Sequence, residues 1–156
     1  MMPGVSRVHG RIVRRLVIAL IGRLNPRQWE VIAEFGLDAG PDTLRYPDII
    51  VDRAGGSDKD RVASEPVLLV EVLSPSTAAT DLGDKAAEYL QIPSVAANIV
   101  LSQDEPKAWL WSRTDRTFTP RPEVLVGTEA VIQVASLDLQ LPLLEVYADI
   151  KTGDPQ

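Results

Sequence analysis

Pro66-Val67-Leu68-Leu69-Val70-Glu71-Val72-Leu73-Ser74-Pro75-Ser76-Thr77 is an apolar run of strand length, stopped at one end by Pro66 and at the other by a Ser/Pro/Ser/Thr turn. Rich in β-branched residues and apolar at nearly every position, Val67 to Leu73 reads as a central strand buried on both faces. Glu71 stands inside it. A lone ionised carboxylate in such a strand costs several kcal/mol, so it has to be protonated, paired with a cation or bound to a metal. Glu71 is therefore the first functional candidate.

Upstream, Tyr46-Pro47-Asp48-Ile49-Ile50-Val51-Asp52 predicts a second short strand with Asp48, Ile50 and Asp52 on one face. Before it, Trp29 to Leu37 alternates bulky apolar residues with Glu30, Ile32 and Glu34 and predicts another strand, and Asp38-Ala39-Gly40-Pro41-Asp42 turns the chain toward Asp48. Downstream, Thr80 to Leu90 predicts a helix N-capped by Thr80, with Asp81 and Lys85 one turn apart. Taken alone, Asp81 and Lys85 read as an exposed helical ion pair; next to a buried Glu71 they gain weight as site residues.

Residues 6 to 24 predict the first helix, because Ile12, Val13, Leu16, Val17, Leu20 and Leu24 fall on one broad face. Arg7, Arg11, Arg14 and Arg15 cluster opposite, either as a solvated face or as a nucleic-acid contact. His9 projects into the apolar face, where a core histidine with a satisfied hydrogen bond competes with a role in the site. Arginines ahead of Leu16 to Ile21 imitate a signal peptide, but the apolar run is too short and Gly22-Arg23 offers no small-residue cleavage site. No run approaches membrane-spanning length.

The 156 residues, 45% hydrophobic and 24% charged, predict one domain over 1–156 and exclude disorder. There is no cysteine, hence no disulfide framework and no thiolate zinc site, which suits the cytoplasm. One histidine rules out a histidine-rich metal centre, so a metal would be held by carboxylate oxygens, favouring Mg²⁺ or Mn²⁺. The net charge of -6 hides a basic end: six of the 16 basic residues and none of the 22 acids fall within residues 1 to 27.

The segment from Ala54 to Ser64 reads as a polar surface loop. Ala97 to Leu101 and Ala108 to Trp111 predict a hairpin across Ser102 to Pro106, with Trp109 and Trp111 packing on one face. Residues 114 to 135 read as weaker β structure, Leu141 to Ile150 as a short helix with Pro142 in its first turn, and 151 to 156 as a frayed tail. The order helix, three strands, helix, strand predicts an α/β (α+β) fold with a mixed sheet flanked by helices. Carboxylates on two neighbouring strands of such a sheet can share one hard cation, and a lysine beside it can orient water and offset charge developing on phosphorus.

Pro47-Asp48, the Val70 to Thr77 block, the Asp81/Lys85/Tyr89 spacing and the closing Ser136-Leu137-Asp138-Leu139 to Tyr147 segment together resemble the Uma family of putative restriction-endonuclease-like proteins, within the PD-(D/E)XK nuclease superfamily. The likeness runs from about His9 to Ile150. It implies a restriction-endonuclease-like core in which Asp48 and Glu71 bind Mg²⁺ and Lys85 positions the attacking water, with Glu34, Asp81 and His9 in support. Two departures stand out. Leu73 occupies the place, two after Glu71, where the superfamily carries its lysine, and Lys85 on the following helix fits that function instead. Relatives also carry an N-terminal hairpin with a Glu-Leu-Ile-Asp-Gly-like stretch ahead of the His9 position, which here has only eight residues before it. The expected consequence is a bare sheet edge open to self-association as a homodimer, with Glu34 compensating for an acid lost with the hairpin.

Two functions compete. One is a cytoplasmic Mg²⁺- or Mn²⁺-dependent endonuclease acting on nucleic acid, DNA foremost, with Arg7, Arg11, Arg14 and Arg15 against the backbone and no membrane partner. The other is a non-catalytic relative serving as a binding or oligomerisation module. Retention of Asp48, Glu71 and Lys85 favours the first; the short N-terminus favours the second.

Overall fold

The computed structural model describes residues 5–74 and 77–150; the Pro75-Ser76 turn and the tail 151–156 expected to fray lie outside them. Helix α1 (Arg7–Arg23) begins at Ser6, whose hydroxyl accepts the His9 amide hydrogen at 3.1 Å, and it buries His9, Ile12, Leu16, Ala19 and Leu20 along one stripe. Arg7, Arg11 and Arg14 stay exposed on the opposite side.

The strand expected over Trp29 to Leu37 is two strands, β1 (Trp29–Ala33) and β2 (Leu37–Gly40). Glu34 takes a left-handed φ of 55°. Gly36 lies so close to the loop after it that a Cβ would fall 2.3 Å from the Arg61 carbonyl oxygen. Side-chain alternation cannot encode that approach, which is why one strand reads where two form. Asp38 to Gly40, expected as a turn, is extended: β2 pairs with β3 (Thr43–Arg45) in a separate hairpin that reverses at Pro41-Asp42.

The acid-bearing strands follow as β4 (Ile49–Arg53) and β5 (Pro66–Val72), the latter buried at every position. Asp48 immediately precedes β4. Asp52 sits at a register shift in the β4–β5 ladder, and its buried carboxylate accepts the amide hydrogens of Ser64 at 3.0 Å and Glu65 at 2.8 Å, clasping the polar loop between the strands.

The helix expected from Thr80 to Leu90 is broken into α2 (Ala78–Leu82) and α3 (Asp84–Tyr89). Gly83 between them adopts φ -115°, ψ -96°, and a Cβ there would sit 2.9 Å from the Ala79 carbonyl oxygen. Thr80 is inside α2, not its cap. Thr77 precedes the helix and donates its hydroxyl to Asp81 Oδ2 at 2.8 Å.

The remaining elements are β6 (Ala97–Leu101), β7 (Lys107–Thr114), β8 (Thr117–Phe118), β9 (Glu123–Val126), β10 (Val131–Val134), β11 (Leu139–Pro142) and α4 (Leu143–Tyr147). Leu141 and Pro142, expected in the last helix, close β11, and Pro142 becomes the N-cap of α4. The main sheet runs β1-β4-β5-β6-β7-β8, with β9 also on β7; β5 and β6 are parallel and the other neighbours antiparallel. This is the mixed, helix-flanked α+β sheet that the element order predicts. The outer edge of β1 carries no strand among the described residues.

Each sheet face has its own core. Ile49, Val51, Leu68, Val70, Val72, Ile99 and Leu101 pack against Ile12, Leu16 and Leu20 of α1 and Leu143 and Val146 of α4. On the other face Ile50 and Leu69 meet Tyr89 and Val95, while Val100 and Trp111 meet Ala86, with Trp109 packed alongside. Full burial of one such Leu or Ile stabilises by roughly 1.5–3 kcal/mol, so packing rather than helix propensity holds the short α3 in place. No helix among the described residues is long and apolar enough to cross a membrane.

Candidate active site

The β4–β5 register pairs Ile49 with Val70, so one step further along it Asp48 faces Glu71 at the C-terminal end of β5. Asp48 Oδ2 accepts the Val72 amide hydrogen at 2.7 Å and lies 3.2 Å from His9 Nε2. The histidine expected on the apolar face of α1 thus reaches an acid rather than hydrocarbon. Its hydrogen bond with Asp48 raises its pKa against the opposing effect of burial, helped by the charges of Asp48, Glu71 and Glu34.

Glu71 is 4% exposed. Its Oε1 accepts the Tyr89 hydroxyl hydrogen at 2.7 Å and lies 3.7 Å from Lys85 Nζ. Burial pushes its pKa up to about 7, with Lys85 and the Tyr89 hydrogen bond opposing the rise and the charges of Asp48 and Asp81 adding to it. Lys85 Nζ is also 2.9 Å from Asp81 Oδ1, an ion pair between residues four apart in the chain. Asp81 is 1% exposed, so this is no ordinary surface pair. Burial works to lower the Lys85 pKa, but Glu71 and Asp81 more than offset it and the ammonium is stabilised.

Asp48 Oδ1 and Glu71 Oε2 accept no hydrogen bond from any described residue. Two carboxylates borne by residues that face each other across a ladder match the one or two protein carboxylates with which Mg²⁺ is commonly held, the other positions going to water or phosphate. Among the described residues no three His, Asp or Glu side chains converge on one point, so Glu34 does not complete a cage. It is exposed; its amide donates to the Asp48 carbonyl at 3.1 Å, and its charge reaches His9.

Of the four arginines singled out in the sequence, Arg15 pairs with Asp149 at 3.2 Å, while Arg7, Arg11 and Arg14 are exposed on the helix that delivers His9. Two contacts escaped the sequence reading of the site. Tyr89 lies one helical turn after Lys85, and that spacing alone places both on the face toward Glu71. Arg45, at the end of β3, grips Glu88 of α3 through two hydrogen bonds of 2.9 and 2.8 Å, and no local pattern joins residues so far apart in the chain.

The model of the Uma2 family, described as putative restriction endonuclease, matches residues 1–144. Among solved structures the chain is similar to a putative nuclease belonging to DUF820 from Anabaena variabilis ATCC 29413, with a TM-score of 0.78 and 18% identity over 96% of this chain and 85% of that one. At that identity the likeness speaks to the fold. No curated protein matches.

Proposed function

Because the chain belongs to the Uma2 family of putative restriction endonucleases, we propose that it is a Mg²⁺-dependent endonuclease, with Mn²⁺ as a substitute, that hydrolyses phosphodiester bonds of nucleic acid and foremost DNA. The observation that carries this reading is the 3.7 Å approach of Lys85 Nζ to Glu71 Oε1, which joins a helix-borne cation to the carboxylate buried in the central strand. Asp48 and Glu71 would hold the cation through the oxygens that accept no hydrogen bond. Bound there, it supplies Lewis acidity, easing deprotonation of water and offsetting charge on the phosphoryl oxygens.

Lys85, kept charged by Glu71 and Asp81, donates a hydrogen bond that aims the attacking water at phosphorus, and its positive charge stabilises the transition state. Asp81 orients Lys85, and Thr77 orients Asp81. His9 holds Asp48 from the far side. The exposed Arg7, Arg11 and Arg14 contribute to backbone contact, a term that weakens with salt. Supercoiled plasmid and single-stranded DNA incubated with wild type and Lys85→Ala in Mg²⁺ test the reading. Wild type cleaves, the variant folds but does not, and equal cleavage by both removes Lys85 from the reaction.

A further inference from the structure

We propose that Tyr89 is a positioning residue that sets which divalent cation the site accepts, by reserving one oxygen of Glu71 and leaving the other as its only ligand atom. The inference rests on the metal-dependent reading above and deepens it.

Tyr89 is completely buried, and its ring is packed among Leu37, Ile50, Leu69 and Val95. A ring so enclosed holds its hydroxyl in place, and that hydroxyl donates to Glu71 Oε1 at 2.7 Å. Lys85, one turn earlier on α3, approaches the same oxygen. Oε1 is thus addressed by two groups of one helix, whereas Oε2 accepts nothing from a described residue. Hydrogen bonds of this kind to a ligating carboxylate orient it and tune its affinity.

The consequence is selectivity. Mg²⁺ and Mn²⁺ sites are well served by single carboxylate oxygens in octahedral surroundings, whereas Ca²⁺ gathers more oxygens and often takes a carboxylate through both. A glutamate whose Oε1 is already taken offers Ca²⁺ half of what it uses. Removing only the Tyr89 hydroxyl frees Oε1 for a larger cation and loosens the orientation that suits a smaller one.

The test is calorimetric titration of the full chain with Mn²⁺ and, separately, Ca²⁺, for wild type, Tyr89→Phe and Lys85→Met, with thermal melts in EDTA as a check on folding. Wild type is expected to prefer Mn²⁺. Tyr89→Phe should bind Mn²⁺ about tenfold more weakly while Ca²⁺ affinity holds or rises, and Lys85→Met should keep the wild-type preference because Tyr89 still occupies Oε1. A purely structural Tyr89 would weaken both cations equally, and that result overturns the proposal. Wild type that binds Ca²⁺ as tightly as Mn²⁺ also overturns it, whether or not the variant folds. Wild type that binds neither cation defeats the metal-dependent reading and the inference with it, whereas normal Mn²⁺ binding with an unchanged ratio in Tyr89→Phe defeats the inference alone.

Discussion

His9 Nε2 lies 3.2 Å from Asp48 Oδ2, joining the first helix to the acid at the head of β4 across a sequence separation of 39 residues. The pairing raises the His9 pKa above 6.5, so folding is favoured by protonation. That stabilisation is fully present below the unfolded value and is lost as pH rises through the folded one. Metal-free protein should therefore be more stable near about pH 6 than about pH 8, and His9→Gln should flatten that part of the profile. Urea titrations of both proteins across this range check it; a histidine variant with an unchanged slope would remove His9 as the cause.

Glu71 titrates with the opposite consequence for its ionised form. Its pKa rises from 4.5 to about 7 on folding, which corresponds to roughly 3 kcal/mol at about 1.4 kcal/mol per unit. For a carboxyl shifted upward the folded state binds the extra proton, so stability falls as pH climbs from the unfolded toward the folded value and stays reduced above it. In EDTA near neutral pH and above, Glu71→Gln should melt at or above wild type. Mg²⁺ or Mn²⁺ at about a hundredfold excess over Kd should stabilise wild type by about 2.7 kcal/mol and the variant little. A Glu71→Gln protein several kcal/mol less stable with or without metal would mean that Glu71 serves Lys85 as an ion-pair partner and nothing else.

Asp81→Asn tests whether Asp81 acts through Lys85. The substitution keeps the shape and the Thr77 contact but removes the charge that helps to keep the ammonium protonated. Cleavage should fall, and the alkaline limb of its pH profile should move to lower pH as the Lys85 pKa drops. A uniform loss with no movement of that limb would assign Asp81 a purely structural place.

Asn98 is fully buried on β6, and neither its Nδ2 nor its Oδ1 has a hydrogen-bond partner among the described residues. Leaving such groups unpaired costs about 1–3 kcal/mol, so Asn98→Val should raise the urea midpoint. A drop instead would indicate an ordered water satisfying the amide.

Much of the architecture could be read from the chain because it rests on local pattern. The uniformly apolar Val67 to Leu73 run identifies the central strand, the 3.6-residue stripe of Ile12, Leu16 and Leu20 identifies α1, and the tryptophan hairpin follows from its turn. Asp48, Glu71, Asp81 and Lys85 are drawn into one cluster because Asp48 and Glu71 face each other at the end of the β4–β5 ladder, while Asp81 and Lys85 stand four residues apart and stay in contact across the break at Gly83. What escaped was long-range or steric. The breaks at Gly36 and Gly83 come from carbonyl oxygens of Arg61 and Ala79 that crowd where a Cβ would be. Asp52 looked equivalent to Asp48 by alternation, but the register shift at Val51 and the amides of Ser64 and Glu65 claim it for the loop.

Gly83 divides the charged residues of the site among units of different cohesion. Asp48 and Glu71 belong to the sheet, whereas Lys85 rides on a six-residue helix held by its apolar contacts, Tyr89 and the Arg45–Glu88 grip. Segments this short open and reclose far more often than a central strand unfolds. Amide hydrogens of 84–90 should accordingly exchange well before those of β5, and each such opening withdraws Lys85 while the acids remain in register. If Lys85 acts as proposed, a local opening of α3 would disarm the chain without unfolding its sheet, and the contacts that grip α3 would govern how long the lysine stays in place.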